Sequence, residues 1–111
     1  MEKTLAIIKP DAVKKRVVGK ILTRIEEEGF EVSEMEMKKM TKDEAKGFYI
    51  VHKGKPFYES LTDFMSSGKV VILALERENA IRHWRLTMGA TDPAVATEGT
   101  LRRQYGFSVE R

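Results

Sequence analysis

Cysteine is absent from the 111 residues, which excludes disulfides and thiolate metal sites together. That absence favours a reducing compartment only weakly, because many secreted proteins also lack cysteine. Long apolar runs are missing as well: no stretch approaches the ~18 consecutive apolar residues that a membrane-spanning helix needs. The opening Met1-Glu2-Lys3-Thr4-Leu5 has no signal-peptide architecture, and the cytoplasm is the expected compartment. Glycine-based anion cradles are also lacking, with no Walker loop, no G-x-G-x-x-G turn and no G-x-S-x-G elbow. A phosphate site here must be built from side chains.

What remains is the composition of an ordinary soluble globular protein, 41% hydrophobic and 33% charged. At this length a single domain, residues 1–111, is expected. It should bury roughly two-thirds of its unfolded surface. A net charge of +3 suits a polyanionic partner without identifying one.

Leu5-Ala6-Ile7-Ile8 is a short apolar run stopped by Lys9-Pro10-Asp11, because proline lacks a ladder donor and biases its predecessor to extended geometry. Val18, Ile21, Leu22 and Ile25 then recur at helical spacing, with Glu26-Glu27-Glu28 on or near the outer face and Gly29 as the closing cap. Apolar residues at Phe30, Val32, Met35 and Met37 keep period two with one slip, as a β-bulge would give. Thr41-Lys42-Asp43-Glu44 matches a capping box and opens a helix with Ala45, Phe48, Tyr49 and His52 on one face. After Gly54-Lys55-Pro56, the residues Phe57, Leu61, Phe64 and Met65 form a second short amphipathic helix. Val70 to Leu75 reads as a strand buried on both faces. Helix signals resume at Glu78, with Ala80, Ile81, Trp84 and Met88 inward, until Gly89 breaks them. Ala90 to Arg111 reads as polar loop with one helical turn near Leu101. The order β-α-β-(αα)-β-α predicts an α/β sandwich one strand short.

Lys9 follows the first strand directly, where strand ends commonly face ligands, although a solvated lysine capping a strand would look the same. Phe57 and Val109 are apolar residues in polar surroundings, and taken singly they read as core. Arg85, Arg102 and Arg103 flank the threonine-rich loop from Thr87 to Thr100. A guanidinium fork with hydroxyl donors beside it can hold phosphate, but arginines in such a cluster are more often plain surface charge. His52 and His83 are the two histidines. His52, inward beside Tyr49, reads as a hydrogen-bonded structural residue. His83, off the apolar stripe, reads as exposed, and neither has a metal partner at ligand spacing.

Taken together, the blocks Thr4-Leu5-Ala6-Ile7-Ile8-Lys9-Pro10-Asp11-Ala12, Phe48-Tyr49-Ile50-Val51-His52, Lys55-Pro56-Phe57-Tyr58 and Phe64-Met65-Ser66-Ser67-Gly68 form a specific pattern. Met88-Gly89-Ala90-Thr91-Asp92-Pro93 and Gly99-Thr100-Leu101-Arg102 continue it. In this order and spacing they resemble the nucleoside diphosphate kinase family over the whole chain. The resemblance implies a ferredoxin-like βαββαβ core (α+β) with an inserted helical hairpin, assembled as hexamers or tetramers. It implies transfer of a γ-phosphate from a nucleoside triphosphate to a nucleoside diphosphate through a phosphohistidine, with Mg²⁺ bridging the phosphates. Residue by residue, it places Phe57 and Val109 on opposite sides of the base and Leu61 along the base slot. Lys9 would reach the sugar 3′-hydroxyl and the phosphates, Arg85, Thr91 and Arg102 would hold the phosphates, and Tyr49 would pack beside the nucleophile.

The nucleophilic histidine of the family pattern N-x-x-H-G-S-D has no counterpart here and would fall beyond Arg111, as would the last strand. His52 and His83 occupy other family positions and do not replace it. The expectation is therefore an active polypeptide heavier than 12.7 kDa, with the 111 residues inactive by themselves. The alternative is a catalytically inactive nucleotide-binding or assembly module of the same fold. A single-stranded nucleic-acid binder, which could share the core, is disfavoured because Val70 to Leu75 carries no stacking aromatics.

Overall fold

Pro10 decides where the first strand ends. In a computed structural model that describes residues 1–89, β1 (Glu2–Ile8) runs until Lys9, and Pro10 then occupies the first turn of a short helix, α1 (Pro10–Lys14). Proline is at ease there because the first helical N–H has no intrahelical partner to lose. Five residues are too few to show a helical period, so α1 leaves no signal between Pro10 and Val18 in the sequence. Arg16, in left-handed geometry with φ of 62°, turns the chain into α2 (Val18–Glu27). Gly29, with φ of +83°, leads into β2 (Glu31–Lys38).

The capping box forms as expected: Thr41 accepts from the Glu44 N–H and Glu44 accepts from the Thr41 N–H, opening α3 (Lys42–Phe48). A turn of 3-10 helix (Ile50–His52) links α3 to α4 (Tyr58–Met65), and β3 (Val70–Arg77) and α5 (Ala80–Met88) complete the described chain. Asn79 holds left-handed geometry ahead of α5, a conformation that asparagine tolerates better than most residues.

The strands form one antiparallel sheet in the order β1-β3-β2, so the continuous apolar run lies in the middle and is buried along most of its length. The fold is α+β. The expected slip in β2 is present as a register shift between Val32 and Glu34. One core packs α2 and α5 on the sheet through Ala6, Ile8, Ile21, Ile25, Phe30, Leu73, Leu75 and Trp84. A second, smaller core of Met40, Ala45, Leu61, Met65 and Val70 seats the α3–α4 hairpin.

One inward expectation fails. Ile81 is 46% exposed, because the buried stripe of α5 runs through Ala80, Trp84 and Thr87, and one residue further turns the helix about 100° away. Met35 and Met37 are also exposed, at 60% and 52%. They pair with Leu73 and Val71 and so share the core face, but on the edge strand they lie beyond the cover of the helices.

Candidate functional site

The α3–α4 hairpin holds most of the described residues expected at a base slot, and side-chain pairs fix its two helices to each other. Lys42 donates to Glu59 at 2.9 Å and to Asp63, Lys46 lies 3.7 Å from Glu59, and the Tyr58 hydroxyl donates to the Lys46 carbonyl at 2.8 Å. The Asp63 and Glu59 carboxylates hold the Lys42 ammonium above the usual lysine range, and Lys42 in turn holds Glu59 below the usual carboxylate range. These pairs face water, so their stabilisation is small and their role is mainly one of register.

Between the helices the backbone advances in three-residue steps. The His52 N–H donates to the Tyr49 carbonyl at 2.9 Å, Lys55 to His52 at 3.0 Å, and Tyr58 to Lys55 at 3.1 Å. Gly54, at φ of +89°, makes this path possible with no side chain to oppose it. These steps bring His52 and Phe57, five residues apart, into ring contact, a pairing that a regular helix would not make. The Tyr49 and His52 rings stack at 6.3 Å, the His52 and Phe57 rings meet at 5.3 Å, and Phe48 packs on Tyr49 at 5.0 Å. Lys55 Nζ lies 5.8 Å from the Phe57 ring centre and 3.4 Å from His52 Nδ1. Phe57 stands at the head of α4 and is 37% exposed. Leu61, one turn on, is buried in the second core. Burial pushes the Tyr49 phenol above its usual range.

Lys9 sits at the β1–α1 junction, half-buried, and its carbonyl accepts from the Ala12 and Val13 N–H groups, each at 3.1 Å. That bonding fixes its backbone at the end of the strand. Arg85 is exposed in the last turn of α5, where the helix dipole favours a cation. Its carbonyl accepts from the Gly89 N–H at 3.0 Å, and Gly89, at φ of 86°, ends the helix. Thr91, Arg102 and Val109 lie outside the described residues, as do Arg103 and the turn expected near Leu101. The structure thus brings Tyr49, Phe57 and Leu61 onto one hairpin, while Lys9 and Arg85 sit at the ends of β1 and α5.

The two histidines take different surroundings. His52 was expected on the inward face of the helix that carries Ala45, but α3 ends at Phe48 and His52 lies on the following 3-10 turn, where it joins the aromatic row between Tyr49 and Phe57. His83 corrects the expectation of exposure: it is half-buried, bonds Glu28 Oε1 through Nε2 at 2.8 Å, and packs on Phe30 at 5.6 Å. Its partner comes from α2, which the pattern of α5 alone could not reveal.

The comparisons agree with this architecture. The family model for nucleoside diphosphate kinase matches residues 2–111. A nucleoside diphosphate kinase of Geotalea uraniireducens is 54% identical over 110 residues, spanning 99% of this chain and 80% of that protein. The counterpart from Salinibacter ruber is 53% identical over 109 residues, spanning 98% of this chain and 77% of its own. Among solved structures, the Aquifex aeolicus enzyme superposes with a TM-score of 0.96 at 42% identity, covering 98% of this chain and 79% of that one. A halophilic nucleoside diphosphate kinase from Halobacterium salinarum, in complex with CDP, gives 0.94 at 35% identity, covering 98% and 72%. With a match along nearly its whole length and a shared fold, this chain belongs to the nucleoside diphosphate kinase family.

Proposed function

We propose that the protein moves the γ-phosphate of a nucleoside triphosphate to a nucleoside diphosphate through a phosphohistidine, and that the histidine lies outside these 111 residues. In the first half-reaction the bond between the γ-phosphorus and its bridging oxygen breaks as a nitrogen–phosphorus bond forms, and the nucleoside diphosphate leaves. The second half-reaction reverses this on a different acceptor. Phosphoryl transfer depends on positioning and charge neutralisation more than on acid–base work. Lys9, Arg85, Thr91 and Arg102 would supply both, with Phe57 and Val109 holding the base and Leu61 lining its slot. This cationic donor set suits phosphate oxygens, so Mg²⁺ would arrive with the nucleotide and share the neutralisation of its charge. The working form would be a cytoplasmic homo-oligomer, a hexamer or tetramer, with residues 1–111 acting as one domain.

The observation that carries this reading is Phe57, an exposed ring at the head of α4 in a chain of this family. Stacking on an aromatic face accepts any base, which suits an enzyme that exchanges phosphate among nucleotides. A second observation favours inactivity of the 111 residues taken alone. His83 is held by Glu28, and His52 is packed between Tyr49 and Phe57, so neither histidine is presented as a nucleophile. With γ-labelled ATP, we expect the 111-residue chain to bind nucleotide yet retain no acid-labile phosphate. Label on His52 or His83 would overturn the assignment. Absence of nucleotide binding would overturn both this reading and the inactive nucleotide-binding module.

A further inference from the structure

The row Tyr49–His52–Phe57 has a feature that base stacking alone does not require. Phe57 is the exposed end of a line of rings whose inner members are more buried. His52 meets it at 5.3 Å with the planes tilted by 59°, and Tyr49 stacks behind His52 with the planes only 25° apart. The three-residue backbone steps from Tyr49 to Tyr58 hold this spacing. Lys55 adds a second contact, with Nζ 3.4 Å from His52 Nδ1 and 5.8 Å from the Phe57 ring centre. An ammonium is only a donor, so in this contact Nδ1 is the accepting atom. One imidazole therefore contacts the ring of Phe57 and anchors the cation beside it.

An exposed phenylalanine without such support would sample several rotamers, and immobilising it on binding would lower affinity. We propose that His52 is a positioning residue for the nucleotide base: with Lys55 it braces the Phe57 ring in its stacking orientation before nucleotide arrives. This rests on the reading of Phe57 as the base-stacking residue. His52 touches neither base nor phosphate in this scheme, and its effect passes through Phe57 alone.

The test is calorimetric titration of the full chain with ADP, CDP and inorganic pyrophosphate. His52→Ala should raise the dissociation constants of ADP and CDP alike by about threefold to tenfold, the range expected for an aromatic contact. Pyrophosphate, which has no base, should stay within about twofold. Lys55→Met, at an exposed position where folding is not at stake, should act in the same direction by a smaller factor. In a Phe57→Ala background, adding His52→Ala should change little, because coupled residues lose their effects together. Equal weakening of pyrophosphate would show a merely structural role, and independent effects in the double variant would show that His52 does not act through Phe57. Either result overturns the proposal, as does wild-type ADP affinity in both His52→Ala and Lys55→Met. Wild-type ADP affinity in Phe57→Ala would instead overturn the base-slot reading beneath it.

Discussion

Arg85 shows how much a single side chain owes to its place on an element. It is exposed in the last turn of α5, free of the core contacts that fix Trp84 beside it. A guanidinium in this position can reach an anion without unsettling the helix. Arg85→Ala should therefore cost about 1.5–3 kcal/mol of affinity for a nucleoside triphosphate, the scale of a charge-assisted contact. Affinity for the bare nucleoside, which offers no anion, should barely change. Equal losses in paired titrations of ATP and adenosine would mark Arg85 as structural. Gly89 bears on the same point, since its φ of 86° stops the helix one turn after the arginine.

At the scale of elements, Glu28 ties the end of α2 to α5. Its carboxylate takes His83 Nε2 at 2.8 Å and Arg24 Nε at 3.1 Å, while its carbonyl accepts from Arg77, whose guanidinium lies 5.5 Å from the Phe30 ring centre. The His83 hydrogen bond, more than the Arg24 pair, holds the Glu28 carboxyl below its usual range, against an opposing effect of burial. A depressed carboxylate stabilises the fold above its unfolded-state pKa and loses that contribution as pH falls through the folded value. Acid titration of stability should thus show a loss below the ordinary carboxylate range that Glu28→Gln removes. Because the site is partly open to water, the effect should stay near 1 kcal/mol or less. Identical acid profiles for the two proteins, followed by thermal unfolding, would show that Glu28 does not contribute.

That latch also marks how far the sequence could be read. The capping box at Thr41 and Glu44, the bulge near Val32 and the buried run from Val70 were legible, because each is a local pattern with a local cause. The hairpin position of Phe57 and Leu61 followed from the same kind of signal. His83 was misread because its partner Glu28 belongs to another helix, and Ile81 because apolar character does not tell on which side of the stripe a residue falls. Helix α1 escaped notice since five residues offer no period. The bracing of Phe57 by His52 was equally out of reach: it depends on three-residue steps around Gly54 that no helical or strand pattern describes.

For the molecule as a whole, the edge strand is the notable surface. β2 pairs only with β3 among the described residues, and it exposes Met35 and Met37, while β1 exposes Leu5 at 54%. Paired backbone on one side and apolar side chains in water are an invitation to association. We expect sedimentation to give a mass several times 12.7 kDa. Joint replacement Met35→Lys and Met37→Lys should lower that mass while far-ultraviolet circular dichroism stays unchanged. A monomeric wild-type protein would remove the assembly from the proposed function.

The strand order has a consequence for how the chain comes to be folded. β3 is the shared partner of both other strands, yet it follows them in the chain. As the polypeptide leaves the ribosome, β1 and β2 have nothing to pair with until Val70 to Arg77 has emerged. Sheet formation then closes long loops in one late event, pairing Glu2 with Arg77 and Glu31 with Glu76. Contacts so distant along the chain slow folding. They also leave the strand residues of the growing chain unpaired during synthesis, while α2 and the capped α3 are too short to hold as helices before the sheet gives them a surface to pack on.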